Sequence, residues 1–379
     1  LLALFGDQFA TQFMRETLIW PDHVIFAMAP LGILTAVIGA IRVGGPSWAR
    51  AVVGRARETR AAAELELMSS TSHEVCELFN GRYIVRSLGK PSLEQFLYLW
   101  RGSGEDARRE IHTMESAVRE GLVKNDAKQN SDPESDGTYN DSAAPNVVLN
   151  LSDYSREAAQ QGWKLLSIAI VSTIIQAAVL AISALSVYNE DVASRVGEPS
   201  APYGFPLFVS GTVSLVVGMI LCSWTIERST SERLWYRVSS PSNDAQATGT
   251  KDSDKIGIVW LQRDQRVSDQ KFAAFAIHGG WKESIITSTR RDTQTSADPR
   301  QGAAFNYLLA LSGAFFGLVG FIIQFQGLRG LTWPSSVAQL TAIAIMAVLR
   351  AFVRRKIGNK PPAHQMHEGH ELDWLACNL

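Results

Sequence analysis

Five long apolar runs, with lysines and arginines gathered at alternating ends, limit what this chain can become. They cover residues 24–41, 165–188, 205–224, 305–325 and 335–353. Each is near the roughly 20 residues a helix needs to cross the hydrocarbon core of a bilayer. Charged residues make up 19% of the chain, below the share of about 25% usual in soluble domains. They are concentrated between the runs. The pattern predicts an α-helical polytopic membrane protein of about five transmembrane helices, with a small α+β cytosolic domain assembled from two loops.

The expected layout follows. Residues 1–21 form an amphipathic, interfacial helix, because Phe5, Phe9 and Phe13 recur every four residues. Spans follow at 22–43, 163–188, 204–224, 304–325 and 335–353. Pro30 falls inside the first span and predicts a kink there. The stretches after span one, before span two, after span three, before span four and after span five are basic. The loops at 188–204 and 326–334 hold one arginine each, Arg195 and Arg329. The positive-inside rule therefore puts 44–162, 226–303 and 354–379 in the cytosol and the N-terminal helix on the opposite side. Trp163 and Trp224 mark the inner interface. Trp20, Tyr188, Tyr203 and Trp333 mark the outer one.

Within the loops, residues 44–124 read as an α+β part. Asn80-Gly81 marks a hairpin turn, and Pro91 opens a helix through about Trp100. Residues 125–162 read as a disordered linker and a pre-span segment. In 226–303, IGIVWLQ and KFAAFAI read as two strands, with SIITSTRR extending their sheet. These strands and the hairpin near residue 80 are expected to form one domain. Residues 354–379 read as a cytosolic tail.

Charge and cysteine content exclude some classes. The net charge is −1, which gives no bulk attraction for nucleic acid. Three cysteines, Cys76, Cys222 and Cys377, make no disulfide framework. The chain starts at Leu1 rather than Met, which reads as a fragment or processed product. No phosphate-binding loop, HExxH, GxSxG or paired CxxC motif occurs, so no cofactor and no catalytic residue is expected.

The residues singled out are few. His364, His367 and His370 repeat every three residues and would offer imidazoles to a metal if helical. Pro361, Pro362 and Gly369 oppose that helix, and a solvated tail is the default. His73 and Cys76 lie three apart but lack an identifiable orienting group. Small residues at Gly32, Ala36 and Ala40, at Ser210, Ser214 and Gly218, and at Gly313 and Gly317 suit close helix packing. Arg42, Arg50, Arg55 and Arg57 are placed to meet anionic headgroups of the lipid bilayer. Arg350 is expected to snorkel to the interface. Asn140-Asp141-Ser142 and Asn150-Leu151-Ser152 match the glycosylation sequon, and on the cytosolic side both stay bare.

Several stretches resemble a family of large fungal multi-span membrane proteins, some of them labelled as ankyrin-repeat proteins and none with an assigned activity. The stretches are ALFGDQF, FAMAPLGILTAVIGAIRVGGP, GRARETRAAAELELMSSTSHEVCELFNG, WLQ with SDQKFAAFA, and ELDWLA. The resemblance implies a multi-span protein whose full-length relatives continue beyond Leu379. The chain has no 33-residue ankyrin period. The expected role is a non-enzymatic, membrane-anchored interaction or regulatory protein. Its expected partners are the lipid bilayer, a cytosolic protein and a second copy of itself. The alternative is a channel or transporter subunit.

Overall fold

The computed structural model describes residues 6–15, 17, 19–101, 108–125, 143–151, 154–191, 194, 200–238, 255–267, 269–291, 299–354 and 360–378. They divide into two compact units, one helical and one rich in strand.

The helical unit contains α1 (Asp7–Arg15), α2 (Trp20–Ala27), α3 (Ile33–Gly44), α4 (Ser47–Val52), α5 (Arg60–Leu67), most of α8 (Tyr154–Tyr188), α9 (Gly204–Arg228), α10 (Pro299–Gly330) and α11 (Trp333–Arg354). Among the described residues, four helical stretches are long and apolar enough to cross a membrane: Trp163–Tyr188, Gly204–Arg228, Gly302–Gly330 and Trp333–Val353. Their outer faces carry bare apolar side chains, among them Ile174, Leu308, Ile322 and Val348. In water that surface would be costly, whereas lipid accepts it.

Helices α9 and α10 run antiparallel, backbone against backbone. Gly204, Gly211 and Gly218 recur every seventh residue on α9, and Gly313, Gly320 and Gly327 do the same on α10. A Cβ on Gly218 would overlap the backbone of Gly317, and one on Gly211 the backbone of Gln324. A Cβ on Gly320 or Gly327 would overlap α9 at Leu215 or Phe208. A seven-residue repeat keeps one seam facing its partner along both helices. Helix α8 meets α11 through polar side chains. Gln176 Nε2 donates to Gln339 Oε1 (3.3 Å), and the hydroxyls of Ser186 and Ser335 lie 3.3 Å apart.

The expected single helix over 22–43 is two helices. The chain breaks at Met28–Gly32, where Ala29 has φ 50° and Gly32 has φ 68°. Pro30 removes a backbone donor at the break. Gly32 is required here twice over, because a Cβ would also sit 2.7 Å from Ala10 Cβ. The stretch 49–68, rich in Ala, Arg, Glu and Leu, forms two short helices, α4 and α5. Thr59 caps the second by accepting from Ala62 N at 3.3 Å.

The strand-rich unit contains β1 (Val75–Phe79), β2 (Ile84–Leu88), β3 (Leu93–Arg101), β4 (Arg108–Thr113), α6 (Met114–Arg119), β5 (Val123–Asn125), α7 (Val147–Leu151), β6 (Thr230–Arg237), β7 (Ile256–Gln262), β8 (Gln265–Val267), β9 (Gln270–Phe272), β10 (Phe275–Lys282), β11 (Ser284–Arg290), β12 (Ala363–Gln365) and α12 (Glu371–Asn378). Its main sheet is antiparallel with order β12-β10-β7-β3-β4. A second sheet has order β11-β6-β5, and β1-β2 and β8-β9 are hairpins. The Asn80-Gly81 turn lies where the sequence places it. Asn80 Oδ1 accepts from the N–H groups of Arg82 and Tyr83 (3.0 Å each), and Gly81 takes φ 91°.

Other expectations are corrected in this unit. Residues 93–101 are strand, not helix, because Phe96, Tyr98 and Trp100 alternate with Leu97 and Leu99 and both faces of the sheet are covered by side chains. KFAAFAI is split between β9 and β10. SIITSTRR joins the second sheet through β6, in register from Ser284↔Tyr236 to Arg290↔Thr230. Residues 143–151 are not linker: Asn146, Val147 and Asn150 are buried in the unit. Of the rest of the expected 125–162 segment, Asn125 ends β5 and α8 begins at Tyr154, while 126–142, with the Asn140 sequon, and 152–153 lie outside the described residues. The tail is not merely solvated. Strand β12 pairs with β10 (Phe275↔Gln365 to Ile277↔Ala363), while Met366 and Leu375 pack on Val259, Leu261 and Ala276.

Candidate functional site

Polar side chains buried in the helical unit gather where α2 meets α9. His23 follows Pro21 in the first turn of α2 and is 6% exposed. Its Nδ1 lies 2.7 Å from Ser223 Oγ and its Nε2 lies 2.6 Å from Glu227 Oε2. Ser223 and Glu227 are four apart on α9, so both face the same side and the imidazole bridges them. Hydroxyl, imidazole and carboxylate in this order match the roles of a nucleophile, its base and an orienting acid. Acyl transfer also needs N–H donors aimed at a developing oxyanion. Ser223 lies inside an unbroken helix whose neighbouring N–H groups bond along the axis, and it is 1% exposed. The geometry therefore works as a clamp between two helices and not as a hydrolase centre.

A second polar anchor corrects the reading of Arg350. Its side chain is 1% exposed and does not snorkel to the interface. Its guanidinium donates to the carbonyls of Ile25 (2.9 Å), Phe26 (3.1 Å), Met28 and Ala29 (3.2 Å). The end of α2 leaves these oxygens without helix partners, and a cation is favoured at that terminus.

The basic cluster expected at lipid headgroups is divided by the fold. Arg42 is buried. It bonds Glu58 through Nε (2.9 Å) and Nη2, and its Nη1 lies 2.6 Å from Glu66. Two carboxylates thus occupy it, which removes it from headgroup contact. Arg50 is half-buried. Arg55 is about half exposed and lies 3.8 Å from Glu58, while Arg57 is exposed.

The expected packing stripes have varied positions. Gly32 forms the corner before α3, whereas Ala36 and Ala40 are fully buried on α3. Ser210 is exposed and bonds back to Leu207 O (3.2 Å); Ser214 donates to Phe316 O across the helix pair (3.0 Å). Gly218 and Gly317 meet directly, and Gly313 faces Cys222. The four-residue spacings missed the seven-residue glycine repeat, although that period is present in the sequence.

The three C-terminal histidines are not brought together. His364 lies on β12, its ring centroid 5.4 Å from that of His278. His367 is exposed in the following turn, and His370 bonds Asp373 (2.9 Å). Strand, turn and helix start in succession replace the single helix their spacing needed. Among the described residues no group of three His, Cys, Asp or Glu side chains is placed to hold a metal ion. Cys76 is buried with Sγ 3.4 Å from Ser87 O, and burial pushes its thiol up to about 11. It is thus a protonated core thiol at neutral pH, with the exposed His73 offering it no base contact.

An aromatic surface on the main sheet was not anticipated. Tyr98 and Trp281 meet edge to face (4.8 Å), and Trp100 stacks on Trp281 at 6.1 Å with planes 10° apart. The Arg109 guanidinium sits 4.6 Å above Trp100. Gly257 makes room, since a Cβ there would overlap the Tyr98 ring. Trp281 is 37% exposed and Ile111 41%. An open cleft of ≈ 470 Å³ lies elsewhere in the unit, lined by Arg263, Asp264, Glu368, Glu371 and Asp373 among others. Its charges are largely engaged locally, Arg263 with Glu94 and Asp264 with Lys271.

No family model, no curated protein and no solved structure matches the chain.

Proposed function

We propose that this is a non-enzymatic integral membrane protein. Its apolar helices anchor it, and its strand-rich unit recognises a partner on the cytosolic side. The observation that supports recognition is the surface formed by Trp100, Trp281 and Arg109, backed by buried Tyr98 packed edge-on against Trp281. Aromatic and arginine side chains left in reach of solvent are the residue types that dominate binding hot spots. The cytosolic assignment rests on the arginines and lysines that border the spans on one side.

The channel reading has less support. Ser172 and Thr173 bond to carbonyls of their own helix, at Ile168 (2.6 Å) and Ala169 (2.9 Å). Gln176 bonds Gln339, and Gln324 Nε2 donates to Thr212 (2.9 Å). These polar groups serve helix packing rather than a water path.

A photo-crosslinking residue placed at Trp281 tests the reading in intact cells. Expected is one discrete adduct, lost when Arg109→Ala and Trp100→Ala are added. The same residue at Tyr83, exposed on the β1-β2 hairpin, should give no adduct. Equal crosslinking at both positions, or ion conduction by the purified, reconstituted chain, would overturn it.

A further inference from the structure

The segment from α2 to α3 starts and finishes at the same end of the α9–α10 pair. That end is defined by Trp224, whose ring meets Phe305 (6.4 Å), and by Arg228, which lies 4.7 Å over the same ring. At the start of the segment His23 bonds Ser223 and Glu227, in the last two turns of α9. At its finish Gly44 faces α9 and α10: a Cβ built on it would overlap Thr225 and lie 3.6 Å from Asn306 O and 3.7 Å from Ala310 Cβ. Between these points Gly317, midway along α10, is met by Val37.

The corner carries the same message. Helix α11 begins beside the end of α8, Ser335 next to Ser186, and runs back along it to place Gln339 next to Gln176. That end of α8 meets the start of α9 through Tyr188 and Phe205 (5.5 Å), so the C-terminal turns of α11 return toward the Trp224 end. Arg350, in those turns, holds the four carbonyls at the corner. Helix α3 has 12 residues, a length of about 18 Å at 1.5 Å per residue, against a hydrocarbon core of about 30 Å. Irregular backbone is tolerated at membrane depth only where protein satisfies it, and Arg350 does so here. Trp20 and Trp48, 62% and 61% exposed, flank the segment as interface anchors would.

We infer that residues 20–44 form a re-entrant helical hairpin that enters and leaves the bilayer on one face. This rests on the reading that the four long helices span a membrane. The chain then crosses four times. Helix α1 then lies on the side that the basic span ends mark as cytosolic, not on the opposite one. Trp20 moves from the outer interface to the inner one. Among the described residues, the short connections between α8 and α9 and between α10 and α11 then face the other compartment.

Cysteine accessibility of the full chain in sealed membranes, with Cys76 and Cys222 buried, tests this. Cys377 is exposed and reports the tail. In a Cys377→Ser background, Gln12→Cys reports the exposed face of α1, and Pro202→Cys reports the loop before α9. With a membrane-impermeant maleimide, Gln12→Cys should behave as Cys377 does and oppositely to Pro202→Cys, before and after permeabilisation. An N-terminal epitope tag read by antibody gives the same comparison without a substitution. Labelling of Gln12→Cys together with Pro202→Cys, or the tag exposed on that side, would overturn the hairpin alone. Labelling of all three positions before permeabilisation, or release of the chain from membranes without detergent, would instead overturn the spanning helices.

Discussion

Asn150 and Ile286 hold each other by two hydrogen bonds: the side-chain amide donates to Ile286 O (2.7 Å) and accepts from Ile286 N (2.8 Å). Asn146, one turn earlier on the chain, does the same with Ser288 (3.0 and 2.8 Å). Two amides four residues apart thus pair with two residues two apart on β11, and α7 closes that edge as a strand would. Glu77 completes the arrangement by accepting from the N–H groups of Val147 (2.8 Å) and Val148 (2.9 Å) at the start of α7. Asn150→Ala leaves a buried N–H and a buried C=O unpaired. At about 1–3 kcal/mol for each such group, a loss of roughly 3 kcal/mol is expected, measured by denaturant unfolding of the strand-rich unit. Asn150→Asp keeps the acceptor and loses the donor, and should fall between. Unchanged stability in Asn150→Ala would refute the edge-closing role.

The same burial bears on the sequon at Asn150. Its amide nitrogen is engaged twice, by Asn146 O and Ile286 O. The folded chain should carry no glycan there whichever compartment it faces, as mass spectrometry of the purified protein can check. A bare Asn150 is therefore no evidence of topology.

The glycine seam gives a contrast within one helix. Gly211→Ala and Gly218→Ala each drive a methyl group into the backbone of α10. Each should cost on the order of 2 kcal/mol, within the range for overpacking, seen as a lower melting temperature in detergent. Ser210→Leu, adjacent in sequence but exposed, should leave that temperature unchanged. Equal effects at all three would show that α9 and α10 are not in close contact.

Arg350 offers a test in which charge alone is not enough. Arg350→Leu strips four carbonyls of their donor inside the helical unit and should destabilise strongly, by about 3–5 kcal/mol, the range for breaking a buried charged network. Arg350→Lys keeps the charge, but an ammonium cannot reproduce the planar fork, so only partial recovery is expected. The readout is the fraction of chain surviving heating in detergent before size-exclusion chromatography. Full recovery by lysine would mean that the charge, rather than the fork, holds the corner.

How much of this could be read from the sequence depends on the range of the interaction. The apolar lengths of α8 to α11 and the Asn80-Gly81 turn are local, and residue types alone disclose them. Residues 93–101 misled because Pro91 followed by Leu, Glu and Gln suits a helix start, while the pairing of Phe96 with Val259 and Thr113 is long-range and overrides propensity. Arg350 and His23 were unreadable for the same reason. Their partners are 321–325 and 200–204 residues away, and nothing near either residue announces them. Arg42 failed differently: its carboxylate partners, Glu58 and Glu66, are nearby in sequence, but only the fold turns them inward.

Acid should loosen the attachment of the C-terminal segment to the main sheet. His278 on β10 lies against His364 on β12 and against the Trp374 ring on α12 (5.5 Å). Neighbouring β7 brings no charged side chain, and on α12 Asp373 is engaged by His370. Burial, and then the His364 imidazole, hold His278 below the usual histidine value of 6.5. The folded form therefore binds fewer protons than the unfolded form as pH falls through that region. The contribution of His278 is fully present above about pH 6.5 and is lost as pH drops from there toward its lowered folded value. Hydrogen exchange of residues 363–378 should accelerate as pH falls below about 6.5, after correction for intrinsic exchange rates. In His278→Phe, which keeps the ring and removes the proton, that acceleration should be greatly reduced. A wild-type profile flat across this window would show that the imidazole pair does not govern the attachment.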